Sequence, residues 1–155
     1  MAEPAVTASL AYRDPIAAIK WLQNAFGFEI AALLIDKEGK VGHAAVSHGD
    51  AEIDIMPEWS SPALLGPTQV KSPASTGSTI TAFLRLTVAD VKAHCEHARA
   101  AGATITQEPT DQFYGDRTYR AIDPEGHVWN FRQKIFETPS DFSGMGLVNR
   151  TDDLK

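Results

Sequence analysis

A single cysteine, Cys95, leaves this chain without an internal disulfide, and the expected setting is a reducing cytoplasm. No apolar run approaches the ~20 residues that a membrane-spanning helix requires, so no membrane partner is expected. Excess positive charge is missing as well. The net charge of −6 at pH 7 argues against nucleic acid and anionic membranes, both of which favour a basic face. The opening Met1-Ala2-Glu3-Pro4 lacks the basic and long apolar regions of a secretory signal. There is no Gly-x-Ser-x-Gly elbow, no phosphate-binding loop and no dinucleotide glycine pattern. Cys95 falls on the apolar face of an expected helix, where a thiol acts as a small inert hydrophobe. No catalytic residue is assigned on these grounds.

What is present suffices for a folded core. The chain has 155 residues, 43% of them hydrophobic and 22% charged, which fits one domain or two small fused modules. In the first module, residues 5 to 12 alternate as a strand. Asp14-Pro15 then starts a helix, with a carboxylate to cap free N–H groups and a proline preset for the first turn. Ile16, Ile19, Leu22 and Phe26 share one helical face, and Gly27 closes the helix. Strands are expected over 28–36, 41–47 and 51–56. The second module repeats the plan: a strand over 79–88, a helix capped by Asp90 and closed by Gly102, a short strand over 104–107, and a hairpin over 117–132. That hairpin turns on Asp123-Pro124-Glu125-Gly126, where Pro124 presets φ and Gly126 tolerates a positive φ. Asp14 and Asp90 are 76 residues apart, Gly27 and Gly102 are 75 apart, and Gly49 and Gly126 are 77 apart. The expected class is therefore α+β, with two tandem βαβββ modules over 1–56 and 79–136 in one overall domain. The 57–78 linker, rich in Pro, Ser, Gly and Thr, reads as a loop, and the 137–155 tail as a surface wrap.

The two βαβββ units, the Phe26-Gly27-Phe28 helix end and the Tyr114-Gly115-Asp116-Arg117 … Asp123-Pro124-Glu125-Gly126-His127 hairpin together resemble the vicinal oxygen chelate superfamily. More narrowly, the chain resembles its glyoxalase/bleomycin-resistance branch. The resemblance covers roughly residues 5 to 134. It implies curved mixed sheets forming half-barrels, with helices on the convex faces and a ligand between the concave faces, often across a homodimer.

The resemblance also implies where metal ligands would stand in metal-dependent members. Those places fall at about Thr7, at about Phe83, at Asn130, and at Glu52 or Asp54. Threonine, phenylalanine and asparagine are poor ligands for Zn²⁺, Ni²⁺ or Fe²⁺, and a one-residue shift recovers only Ala8, Leu84 or Trp129. No metal and no cofactor is expected.

Alternation supplies the candidate ligand-binding residues. An inward Asn130 brings Val128 and Arg132 with it and sends Trp129 and Phe131 under the helices. On the neighbouring strand Arg117 and Tyr119 share one face and Thr118 and Arg120 the other; Arg117 and Tyr119 are taken as the candidates. Glu52 and Asp54 share a face. They suit a cationic ligand, or are simply the wet side of a strand. His43 sits mid-strand on one face or the other. Trp59, Phe113 and Tyr114 are loop aromatics able to stack on a planar ligand or to bury locally. Asp116 and Arg117 are expected to brace the turn as a pair, His94 and His97 to form a solvated helix face, His48 to be turn surface, and His127 to hydrogen-bond locally.

Three functions remain open. The first is a small-molecule binder of the bleomycin-resistance type, acting by drug sequestration without catalytic metal. The second is a metal-dependent lyase, isomerase or dioxygenase of the same superfamily. The third is a non-catalytic regulatory module whose linker and tail bind a protein.

Overall fold

Two aspartates start the two long helices in the same way. In the computed structural model, which describes residues 6–155, the Asp14 side chain accepts from the Ala17 N–H at 3.0 Å and opens α1 (Pro15–Phe26). Asp90 accepts from Ala93 N–H at 3.0 Å and opens α3 (Val91–Ala100). These contacts satisfy N–H groups that a helix leaves free at its first turn. Gly27, with φ of 75°, ends α1 in the left-handed conformation that glycine adopts without strain. The expected strand start at Ala5 and the Met1–Pro4 opening lie outside the described residues.

Each helix belongs to a four-stranded mixed sheet. The first sheet contains β1 (Ala8–Tyr12), β2 (Glu29–Ile35), β3 (Val41–His48) and β4 (Ala51–Pro57), in the order β1-β4-β3-β2. The second contains β7 (Leu84–Thr87), β8 (Thr104–Asp111), β9 (Asp116–Ile122) and β10 (Val128–Lys134), in the matching order β7-β10-β9-β8. In both sheets the first strand runs parallel to the last and the remaining pairs are antiparallel. The α+β architecture of two βαβββ units is thus present. Two strand lengths depart from expectation. β7 pairs only over Leu84–Thr87, although alternation began at Thr79, and β8 continues to Asp111 rather than stopping at Gln107. The linker is not a bare loop. It carries a ribbon of β5 (Trp59–Ser60) with β6 (Gln69–Val70), enclosing a one-turn helix α2 (Pro62–Leu65).

One core serves both sheets. Ile19, Leu22 and Phe26 of α1 and Val91, Cys95 and Ala98 of α3 pack against Ile53, Ile55, Trp129 and Phe131. Phe26 binds the halves together: its ring lies 5.6 Å from Trp129 and 4.7 Å from Phe131, edge to face. Ile16 is only half-buried, at the rim of the helical face. Burial pushes the Cys95 thiol pKa up, consistent with an inert core residue.

The hairpin turn is the main joint between modules. Asp123 is buried. Its carboxylate accepts from the Tyr12 hydroxyl at 2.7 Å, from Trp129 Nε1 at 3.1 Å, and from the Glu125 and His127 backbone N–H groups. Burial, then the adjacent Asp123 charge, raise the Tyr12 pKa well above the ordinary tyrosine value. Glu125 accepts from the Arg13 and Asp14 N–H groups and from the Ser72 hydroxyl, tying the β1–α1 junction and the linker to the same turn. His127 donates from Nε2 to the Ala11 carbonyl at 2.7 Å, a bond between the modules rather than the local one expected of it.

Of the two α3 histidines, His97 is exposed as expected whereas His94 is half-buried, and both reach α1. His94 Nε2 lies 3.0 Å from the Phe26 carbonyl and His97 Nε2 lies 2.8 Å from the Asn24 carbonyl. Both carbonyls belong to the last turn of α1, where no intrahelical donor remains. A carbonyl can only accept, so Nε2 of His94 carries the proton and Nδ1 accepts from the Tyr119 hydroxyl.

Candidate functional site

With the helices on one side of each sheet, alternation assigns the residues of the other. Ile53, Ile55, Trp129 and Phe131 face the helices and are buried. Their strand neighbours Glu52, Asp54 and Asn130 therefore leave on the helix-free faces.

On the first sheet, Asp54 stands beside Ser9 and Ala45 in the ladder, and the Ser9 hydroxyl lies 3.5 Å from Asp54 Oδ2. Glu52 pairs with Ser47 and is exposed. His43 has the parity of Ala45 and Ser47, so it joins the same face, where it is exposed. His43, Glu52 and Asp54 thus share one surface. At its β1 edge a cavity of about 340 Å³ is walled by Ser9, Ala11, Val70, Ile80 and His127.

On the second sheet, Asn130 pairs with Arg120 of β9 and Arg85 of β7. Directly opposite residues share a face, so two guanidiniums flank it. Phe83 lies on the same side, its ring centroid 5.7 Å from the Arg120 guanidinium carbon. Asn130 itself is only 1% exposed, and its Oδ1 has no hydrogen-bond partner among the described residues. A smaller cavity of about 180 Å³ joins the two sheets, with Asp50 and Glu52 on one wall and Arg85 on the other.

The remaining candidates lie elsewhere. Tyr119 is on the face opposite to Asn130, fully buried beneath α3 with its hydroxyl on His94, and burial drives its pKa far upward. Arg117 pairs with Asp111 across β8 and β9 at 2.5 Å, and Asp116 with Arg132 and Lys134, so the expected Asp116–Arg117 brace is replaced by three cross-strand pairs. Phe113 and Tyr114 stack edge to face at 5.2 Å in the β8–β9 loop, where Phe113 also meets Phe142 of the tail. Trp59 is partly exposed on the linker ribbon. Arg85 and Arg120 are residues of this candidate face that the sequence alone did not single out. The register of a hairpin turning at 123–126 opposes Arg120 to Asn130, and the 76-residue offset carries Ser9 onto Arg85.

The positions that the family resemblance reserves for a metal do not fit one. Only the place at Glu52 or Asp54 offers a carboxylate; Thr7, Phe83 and Asn130 supply weak donors or none, and Arg85 and Arg120 add fixed positive charge beside Asn130. Among the described residues, the one cluster with metal-ligand spacing is Cys95, Glu96 and Glu108. There the thiol is buried, and Arg99 already pairs with Glu108 at 2.7 Å.

The architecture and this face define a class. A model of the Glyoxalase/Bleomycin resistance protein/Dioxygenase superfamily matches residues 5–131, and the chain belongs to that superfamily. It is 32% identical over 139 residues to uncharacterized proteins of Mycobacterium tuberculosis and Mycobacterium bovis, covering 90% of this chain and 79% and 89% of theirs. Among solved structures it is similar to TioX from Micromonospora sp. ML1, with 26% identity, a TM-score of 0.69, and 85% and 99% of the two chains covered. It shares its fold with TnmS3, an antibiotic binding protein from Streptomyces sp. CB03234, at 22% identity and a TM-score of 0.63, covering 86% and 98%. No helix among the described residues is long and apolar enough to cross a membrane.

Proposed function

We propose that this chain binds a small organic molecule on the helix-free faces of its two sheets, without a catalytic metal, in the manner of a sequestering protein. The observation that carries this reading is the chemistry around Asn130. A carboxamide flanked by two arginines occupies a position that the family resemblance reserves for a metal ligand. Such a face recognises polar groups but has no means to hold a divalent cation. Antibiotic binding by TnmS3, which shares the fold, supports the same class of ligand. The chain acts as a homodimer in this reading. The outer edge strand β2 leaves Ile30, Leu33, Leu34 and Ile35 between 39% and 63% exposed, an apolar edge suited to a second copy.

Two measurements test this. A thermal-shift screen against glycopeptide and aromatic antibiotics is expected to give at least one raised midpoint, because a ligand that binds only the native state stabilises it. Elemental analysis of the purified protein is expected to find no stoichiometric metal. Stoichiometric Zn, Ni, Fe or Mn would overturn the metal-free reading in favour of a lyase, isomerase or dioxygenase.

A further inference from the structure

Asn130 is a group that the fold does not explain. A buried carbonyl oxygen without a partner is uncommon in a folded protein and costs stability. Trp129 and Phe131 beside it make the packing contacts of β10, and a leucine would fill the same volume without the penalty. A ligand that completes the hydrogen bonding accounts for the carboxamide.

The flanking arginines indicate which ligand. The chain has seven arginines. Five of them hydrogen-bond a carboxylate, hydroxyl or carbonyl. The other two, Arg85 and Arg120, have no hydrogen bond or ion pair among the described residues, and both neighbour Asn130 in the ladder. Asp50 and Glu52 line a cavity with Arg85, yet no salt bridge forms there. Two unpaired guanidiniums on one small face, in a chain of net charge −6, constitute a local anion site. Phe83, 48% exposed beneath the Arg120 guanidinium, adds an aromatic surface at its edge.

We infer that Arg85, Arg120 and Asn130 form the anion-recognising end of the ligand site, and that its ligand class is a planar aromatic carboxylate. The guanidinium fork matches the two oxygens of a carboxylate. The Asn130 amide, turned over, presents its NH₂ to the carboxylate at the place where its Oδ1 has no partner. The ring stacks on Phe83. This assignment rests on the small-molecule reading above and narrows it. The acidic face around Asp54, which alone suits a cation, becomes the other end of the site.

Calorimetric titration of the full chain with 2-naphthoate, 2-naphthamide and 2-naphthylmethylammonium tests the assignment. The carboxylate is expected to bind at least about tenfold more tightly than either analogue, since one charge-assisted pair is worth about that factor. Arg85→Gln and Arg120→Gln are each expected to weaken naphthoate by about tenfold. Lys20→Gln, on the exposed side of α1, leaves binding unchanged. Both arginines are exposed, and unchanged thermal midpoints of the unliganded variants verify that they fold. Equal or tighter binding of the amide or the ammonium would overturn the anion assignment while leaving the small-molecule reading in place. Binding by none of the three would also overturn it, and the antibiotic screen then decides the broader reading separately. Naphthoate binding that ignores both arginine substitutions would place the anion elsewhere and overturn the assignment too.

Discussion

The two modules share a plan but not a chemistry. At matching positions Ala44 corresponds to Tyr119, Ile53 to Trp129 and Ile55 to Phe131, all facing the helices. At these positions the first sheet presents small and aliphatic side chains to the core, with Tyr12 buried at the end of β1, whereas the second presents three large aromatics that also receive Phe26 from α1. The opposite faces diverge in charge. Ser9 and Asp54 on the first sheet correspond to Arg85 and Asn130 on the second. A duplicated scaffold keeps its turns and caps because backbone geometry demands them, while each face is free to take a different chemical role.

Truncating the aromatic half is the severest way to break this contrast. Trp129→Ala is expected to cost about 3–5 kcal/mol through the cavity it leaves, and it also removes the indole N–H from Asp123. Ile53→Ala at the matching position is expected toward the lower end of the roughly 2–5 kcal/mol range. Chemical denaturation of both variants checks the pair, and equal losses would show that the core is not centred on the second sheet.

A milder change sharpens the contrast between the helix-free faces. Asn130→Leu is expected to stabilise the fold by about 1 kcal/mol, since it removes an unpaired buried polar atom. Asp54→Leu is expected to give no such gain, because Asp54 is half-exposed and already adjoins the Ser9 hydroxyl. A destabilised N130L variant would mean that the carboxamide has a structural partner in solution.

The smallest effect concerns the helix–helix joint. Burial holds the His94 imidazole pKa below its ordinary value of 6.5. The unfolded chain therefore binds this proton first as pH falls. The contribution is fully present above about pH 6.5 and is lost as pH drops from there toward the lowered folded pKa. Thermal midpoints at pH 7.5 and 5.5 should fall further in the parent chain than in His94→Gln, whose amide can still donate to the Phe26 carbonyl. An identical drop in the two proteins would remove His94 from the account.

Much of the scaffold was legible because its signals are local. Asp14-Pro15, Gly27 and the Asp123–Gly126 turn each specify a backbone conformation through the residue itself. What the sequence concealed were relations between elements. The helical wheel places His94 and His97 away from Val91 and Cys95, but it cannot show that the bare carbonyls of α1 lie within reach. Alternation from Thr79 onward looks like a long strand, yet pairing with β10 extends only over Leu84–Thr87, and Thr79 and Ile80 instead wall a cavity. Alternation of β9 leaves Tyr119 free to face either side; only its hydrogen bond to His94 and its place under α3 reveal that it joins the core rather than a ligand. Arg120 opposite Asn130 followed from the hairpin register. The significance of the pair depended on Arg85 arriving from β7.

The central claim is that the Asn130 face holds a small molecule without help from a metal. Its most direct test is the thermal midpoint of the full chain with saturating 2-naphthoate, measured with and without a strong chelator. A midpoint raised by naphthoate and left unchanged by the chelator is the predicted result. A rise that disappears on chelation and returns with Zn²⁺, Ni²⁺, Mn²⁺ or Fe²⁺ would contradict it, and no rise at all would overturn the aromatic carboxylate as its ligand.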